Sequence, residues 1–132
     1  MPSTAPSRCS VGSRERETVS RTTGTWLGAL FESLATQSVR VHAEAMSARV
    51  GHLRTKNGDH EIDLIVETND TRCTAIEVKL ADTIHDADVR HLLWLRGRLG
   101  DRLSDCRILN TGPRAYRRPD GVAVVPLALL GQ

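Results

Sequence analysis

Apolar residues recur every three or four positions at Leu27, Leu30, Phe31, Leu34 and Val41, with Ser38 in step between them. This spacing predicts an amphipathic helix over residues 25–46 with an apolar stripe. A neighbouring stripe, Gly28, Glu32, Ala35 and Val39, is mostly small, which lets a helix lie close to a sheet. Residues 49–55 read as a first strand, and Lys56-Asn57-Gly58-Asp59 as a hairpin turn, because Asn-Gly favours positive φ. Residues 60–67 then alternate, with Ile62, Leu64 and Val66 on one face and Glu61, Asp63, Ile65 and Glu67 on the other. A turn at 68–71 leads to a third strand, 73–80, with Ile76, Val78 and Leu80 on one side and Glu77 and Lys79 on the other. Asp86 reads as the cap of a second helix, which buries Val89, Leu92, Leu93, Leu95 and Leu99 and stops at Gly100. Short strands at 106–110 and 122–126 close the pattern around a polar loop at 116–120. The order α-β-β-β-α-β-β predicts an α/β domain, an α+β mixed sheet with helices packed on it.

The alternation carries chemistry as well as structure. If the second and third strands pair through the turn at 68–71, Asp63, Glu77 and Lys79 stand side by side. Glu32 would approach through the small-residue stripe of the first helix. Clustered carboxylates repel one another unless a cation sits between them. Oxygen donors of this kind suit Mg²⁺ or Mn²⁺. A lysine beside the ion stabilises charge on a phosphate oxygen. These parts together describe metal-dependent hydrolysis of a phosphodiester.

Charge and cysteine content narrow the setting. The formal net charge is +2 over 132 residues. The first 23 residues carry that excess and read as a disordered tail, leaving 24–132 as one neutral domain without a broad basic footprint. Aromatics are 3%, so the core must be aliphatic. Cys9, Cys73 and Cys106 form no CxxC pair and no zinc spacing, and the last two read as buried thiols. No apolar run is long enough to span a membrane, no secretory h-region follows the N-terminus, and a reduced cytoplasm is the expected compartment.

Asp63 followed by Glu77-Val78-Lys79, inside this element order, resembles the PD-(D/E)XK nuclease-like superfamily with its restriction-endonuclease-like α-β-β-β-α-β core. Longer phrases, "LGALFES", "LRTKNGDHEIDLIVE", "AIEVKLA", "LNTG" and "GVAVVPLALL", resemble the C-terminal domain of a family of bacterial and archaeal AAA+-type ATPases, domain-of-unknown-function family 4143. The resemblance covers about residues 26–131. It implies catalytic roles for Lys79 and Glu32, metal ligation by Asp63 and Glu77, and supporting roles for Glu61 and Arg54. It also implies Mg²⁺ or Mn²⁺ as cofactor, nucleic acid as substrate, and an ATPase or other protein as partner. This sequence has no G-x-x-x-x-G-K-[S/T] motif, so no ATP site is expected, and the chain reads as an isolated C-terminal domain.

Three functions follow: a metal-dependent nuclease, a catalytically silent interaction module on the same fold, or a truncated remnant of the ATPase. Plainer readings accompany the site residues. Glu61 has a cross-strand ion pair with Arg54 open to it. His42, His52, His60, His85 and His91 share no ligand spacing and read as packing or surface residues. Trp94 reads as core, and Arg114, Arg117 and Arg118 as a solvated loop.

Overall fold

A computed structural model describes the backbone of residues 5–130 and the side chains of residues 25–130. The tail expected over residues 1–23 falls outside the residues described with side chains. The chain divides into two compact units, Met1–Phe31 and Glu32–Gln132, and the second holds the sheet. Helix α1 is Ala5–Ala45. It is followed by β1 (Arg49–Arg54), β2 (Glu61–Glu67) and β3 (Cys73–Val78). A 3-10 turn, Asp86–Val89, runs into α2 (Arg90–Leu99). The chain then forms β4 (Leu103–Asn110), β5 (Tyr116–Arg117), β6 (Ala123–Pro126) and the short α3 (Leu127–Leu130). The six strands make one mixed sheet in the order β1-β2-β3-β4-β6-β5. β1, β2 and β3 are an antiparallel meander, and β3, β4 and β6 run parallel. Mixed α/β architecture is therefore as the pattern of elements predicts.

One face of the sheet carries the main core. Ile62, Ala75, Cys106, Ile108, Val122 and Val124 pack there against Ile84, Val89, Leu92 and Leu95 from the α2 side. These small and aliphatic groups alternate along their strands, so a parallel centre and a leucine-faced helix close on each other, with Trp94 packed at the margin. Cys73 and Cys106 are buried free thiols, and burial pushes both above the usual thiol range. Gly100 ends α2 at φ 55, a left-handed position that glycine adopts without a Cβ clash.

Several local expectations are corrected. The buried face of α1 within the second unit is Ala35, Val39 and Ala43, whereas Leu34 is 51% exposed and Val41 60%. Small side chains bring the helix axis close to the sheet, and the leucine stripe is left outside. Leu80 is exposed, because β3 ends at Val78 and the strand face does not reach it. His85 rather than Asp86 occupies the cap of the 3-10 turn, where Asp88 accepts the His85 backbone N–H at 2.8 Å. Tyr116–Arg117, expected as loop, adds a strand against β6. Arg117 and Arg118 are tied down there. Arg117 holds Asp105 at 3.1 Å, and Arg118 holds Asp86 at 2.6 Å and Asp120 at 3.2 Å.

The α1 correction has a direct check. Ala35→Leu is expected to destabilise the chain by ~1–3 kcal/mol through overpacking. Leu34→Gln is expected to stay within ~0.5 kcal/mol of the native chain. Urea denaturation of both variants measures this, and the reverse ranking would restore the leucine stripe as the buried face.

Candidate functional site

The site begins with an irregularity in β2. Gly51 pairs with Ile65 and Leu53 with Ile62, so two residues of β2, Asp63 and Leu64, stand opposite one of β1. This is a β-bulge, which bends a strand and re-aims a side chain. It places Ile62 and Ile65 together on the α2 core, although strict alternation would separate them. It also ends the β2–β3 ladder, whose last pair is Leu64 with Ile76. The Val78 N–H, left without a ladder carbonyl, donates to Asp63 Oδ2 at 2.9 Å. The Asp63 carboxylate is therefore locked to the edge of β3, one residue from Glu77.

Glu77 lies near the end of β3 on the same side as Ala75, and is only 4% exposed. Its carboxylate has no hydrogen-bond partner among the described residues. Its pKa is pushed up to about 7, first by burial and then by the Asp63 charge, with smaller rises from Asp88 and Glu61 and with Lys79 opposing. Asp63, Lys79, Asp88 and Glu61 thus all act on one buried carboxylate. The Lys79 charge also acts on His91 of α2. The Lys79 backbone N–H donates to the Leu109 carbonyl at 2.9 Å, fixing it against β4.

Arg54 and Glu61 are register partners at the end of the β1–β2 hairpin, yet their side chains form no ion pair, and both are exposed. Glu32 is exposed on α1 and is not among the charges acting on Glu77. α1 packs its Val39 and Ala43 over the opposite face of the sheet, beside Val66 and Ile76, where a groove of about 250 Å³ holds none of these acids.

Four residues that the sequence did not place at the site stand out in the structure. Asp88 lies in the 3-10 turn that follows β3, and only the chain's path from β3 into α2 brings its charge to bear on Glu77. His60 and His91 are 31 residues apart in sequence but meet Nδ1 to Nδ1 at 3.2 Å. Asn110 is 1% exposed at the end of β4, and both its amide atoms lack a protein partner. A Cβ at Gly112 would stand 2.9 Å from Asn110 Nδ2 and 3.0 Å from the Asp82 carbonyl oxygen, which is why only glycine fits there.

A family model for a domain of unknown function, DUF4143, matches residues 27–130. The chain belongs to this family. The match spans the sheet, α2 and every residue of the candidate site. A comparison with curated proteins returned no match. Among the described residues, no helix is long and apolar enough to cross a membrane. No three His, Cys, Asp or Glu side chains among them form a metal cage. The donor set fits a hard cation nonetheless. Glu77 is a buried carboxylate with no donor, and Asp63 keeps one oxygen free of hydrogen bonds. Mg²⁺ takes one or two carboxylates and keeps several waters, so it needs no cage of protein ligands.

The Glu77 pKa has a consequence for stability. A carboxyl raised from 4.5 to about 7 stabilises the fold fully below 4.5, and that contribution is lost as pH rises through about 7. In chelator-treated protein, native stability relative to Glu77→Gln is expected to fall by on the order of 2–3 kcal/mol between pH ~4.5 and ~8. Urea titrations across that range measure it, and parallel curves would show that Glu77 titrates normally.

Proposed function

We propose that this domain is a divalent-cation site for phosphodiester hydrolysis on nucleic acid, built as in restriction-endonuclease-like PD-(D/E)XK nucleases. The observation that carries the reading is the buried Glu77 carboxylate, without a donor and beside Asp63. A cation between the two would offset both the desolvation of Glu77 and the repulsion from Asp63. Asp63 and Glu77 would hold Mg²⁺ or Mn²⁺, with water completing the shell. The ion, when bound, lowers the pKa of coordinated water and polarises a phosphoryl oxygen.

The chain's own residues divide the remaining work. The Val78 N–H fixes one Asp63 oxygen, so the other is presented in a set direction. Lys79 supplies a positive charge beside Glu77, suited to the charge that develops on a phosphate in the transition state. Asp88 and Glu61 deepen the negative potential around Glu77 and so favour cation entry. Glu32 has no part in this arrangement, and Arg54 and Glu61 lie at its exposed rim. An ATPase, or another protein that brings the substrate, is the partner this reading adds.

Calorimetry with Mg²⁺ and Mn²⁺ is expected to give binding to the native chain and loss of it in Asp63→Ala. At pH 7 binding is expected to release about half a proton from Glu77, read as a dependence of the heat on buffer ionisation. With labelled single- and double-stranded DNA and RNA, Lys79→Ala is expected to lower cleavage by ~10²-fold or more while metal binding persists. Equal heats for the native chain and Asp63→Ala would remove the cation site. Metal binding without cleavage of any substrate would leave a cation-dependent interaction module instead of a nuclease.

A further inference from the structure

The first turn of α2 carries a chain of hydrogen bonds whose direction follows from chemistry. Arg90 Nη2 lies 3.3 Å from His91 Nε2, and His91 Nδ1 lies 3.2 Å from His60 Nδ1. A guanidinium donates and never accepts. His91 Nε2 is therefore the acceptor, which places the proton of the neutral ring on Nδ1. His91 then donates to His60 Nδ1, and His60 carries its own proton on Nε2. The His60 ring is braced from a second side by Trp94, stacked at 3.9 Å and 10°, while it meets His91 edge-on at 88°. Its backbone is held as well, since its N–H donates to Thr55 Oγ1 at 3.1 Å and its carbonyl accepts the Thr55 N–H at 3.0 Å. Glu61 and Asp63 follow His60 directly in the chain, so whatever fixes His60 fixes the entry of β2.

We propose that Arg90, His91 and His60 form a positioning relay for the carboxylate site, tying the start of β2 to α2 through one fixed pair of neutral tautomers. What the tie serves rests on the cation-site reading above; the relay itself stands on the geometry. The charged groups that act on His91 are Arg90 from its own helix, Lys79 after β3 and Glu61 from β2. Burial, then Arg90, His60 and Lys79, hold His91 below the usual histidine range, against Glu61. His91 is accordingly neutral at pH ~7.5, the state in which Nε2 accepts and Nδ1 donates.

Long-range ¹⁵N–¹H correlation spectra at pH 7.5 are expected to show His91 as the Nδ1–H tautomer and His60 as the Nε2–H tautomer. Mg²⁺ affinity at pH 7.5 is expected to fall about tenfold in His91→Ala. It is expected to recover in His91→Asn, whose amide replaces the Nδ1–H donor. A charged or Nε2–H His91 at pH 7.5 would overturn the relay, and so would a loss of affinity in His91→Ala that His91→Asn fails to restore. A native chain that binds no Mg²⁺ would overturn the cation-site reading, while the tautomers would still decide the relay.

Discussion

A nearly buried carboxylate on the face of the sheet, without a protein donor, is the constraint around which this domain is arranged. Glu77 is 4% exposed, and every nearby acid raises its pKa. Leaving a charged group unpaired in such a position is among the more destabilising things a fold can do. The charges of Asp63, Asp88 and Glu61 add to that cost, and Lys79 opposes it. Under the function proposed above, a cation between Glu77 and Asp63 would offset it.

The bulge at Asp63–Leu64 links this chemistry to the fold. One extra residue in β2 keeps Ile62 and Ile65 on the same core and swings Asp63 to the edge of β3. The Val78 N–H that the broken ladder leaves over then becomes the anchor of the carboxylate. Straightening the strand would restore one backbone hydrogen bond and scatter the acids. On the opposite face, Ala35, Val39 and Ala43 let α1 lie close without disturbing the register. On the near face, the Arg90–His91–His60 chain keeps the start of β2 against α2.

Much of this was legible in the sequence because it depends on short-range pattern. Alternation gave β2 and β3, the Asn57-Gly58 turn gave the first hairpin, and Asp63, Glu77 and Lys79 fell on neighbouring strands as the period of two requires. What escaped depended on three-dimensional approach. Strict alternation could not foresee the bulge, so Ile62 and Leu64 were placed on one face when the structure separates them. Hydrophobicity alone favoured the leucine stripe of α1, whereas closeness to the sheet selected the small side chains. Glu32 was drawn toward the site by that same stripe, but the stripe covers the other face. Asp88 and His91 gave no signal of their own, since each comes near the site's charges only through the crossover from β3 to β4.

¹³C NMR of the Glu77 Cδ carbon reads most directly whether this buried carboxylate takes up a cation. Titrated without metal, the Glu77 signal is expected to show a midpoint near 7. With saturating Mg²⁺ the midpoint is expected to move down by two units or more, on the order of the shift an adjacent opposite charge produces. A metal-free midpoint near the ordinary glutamate value of ~4.3, or a raised midpoint that Mg²⁺ leaves unmoved, would contradict the account.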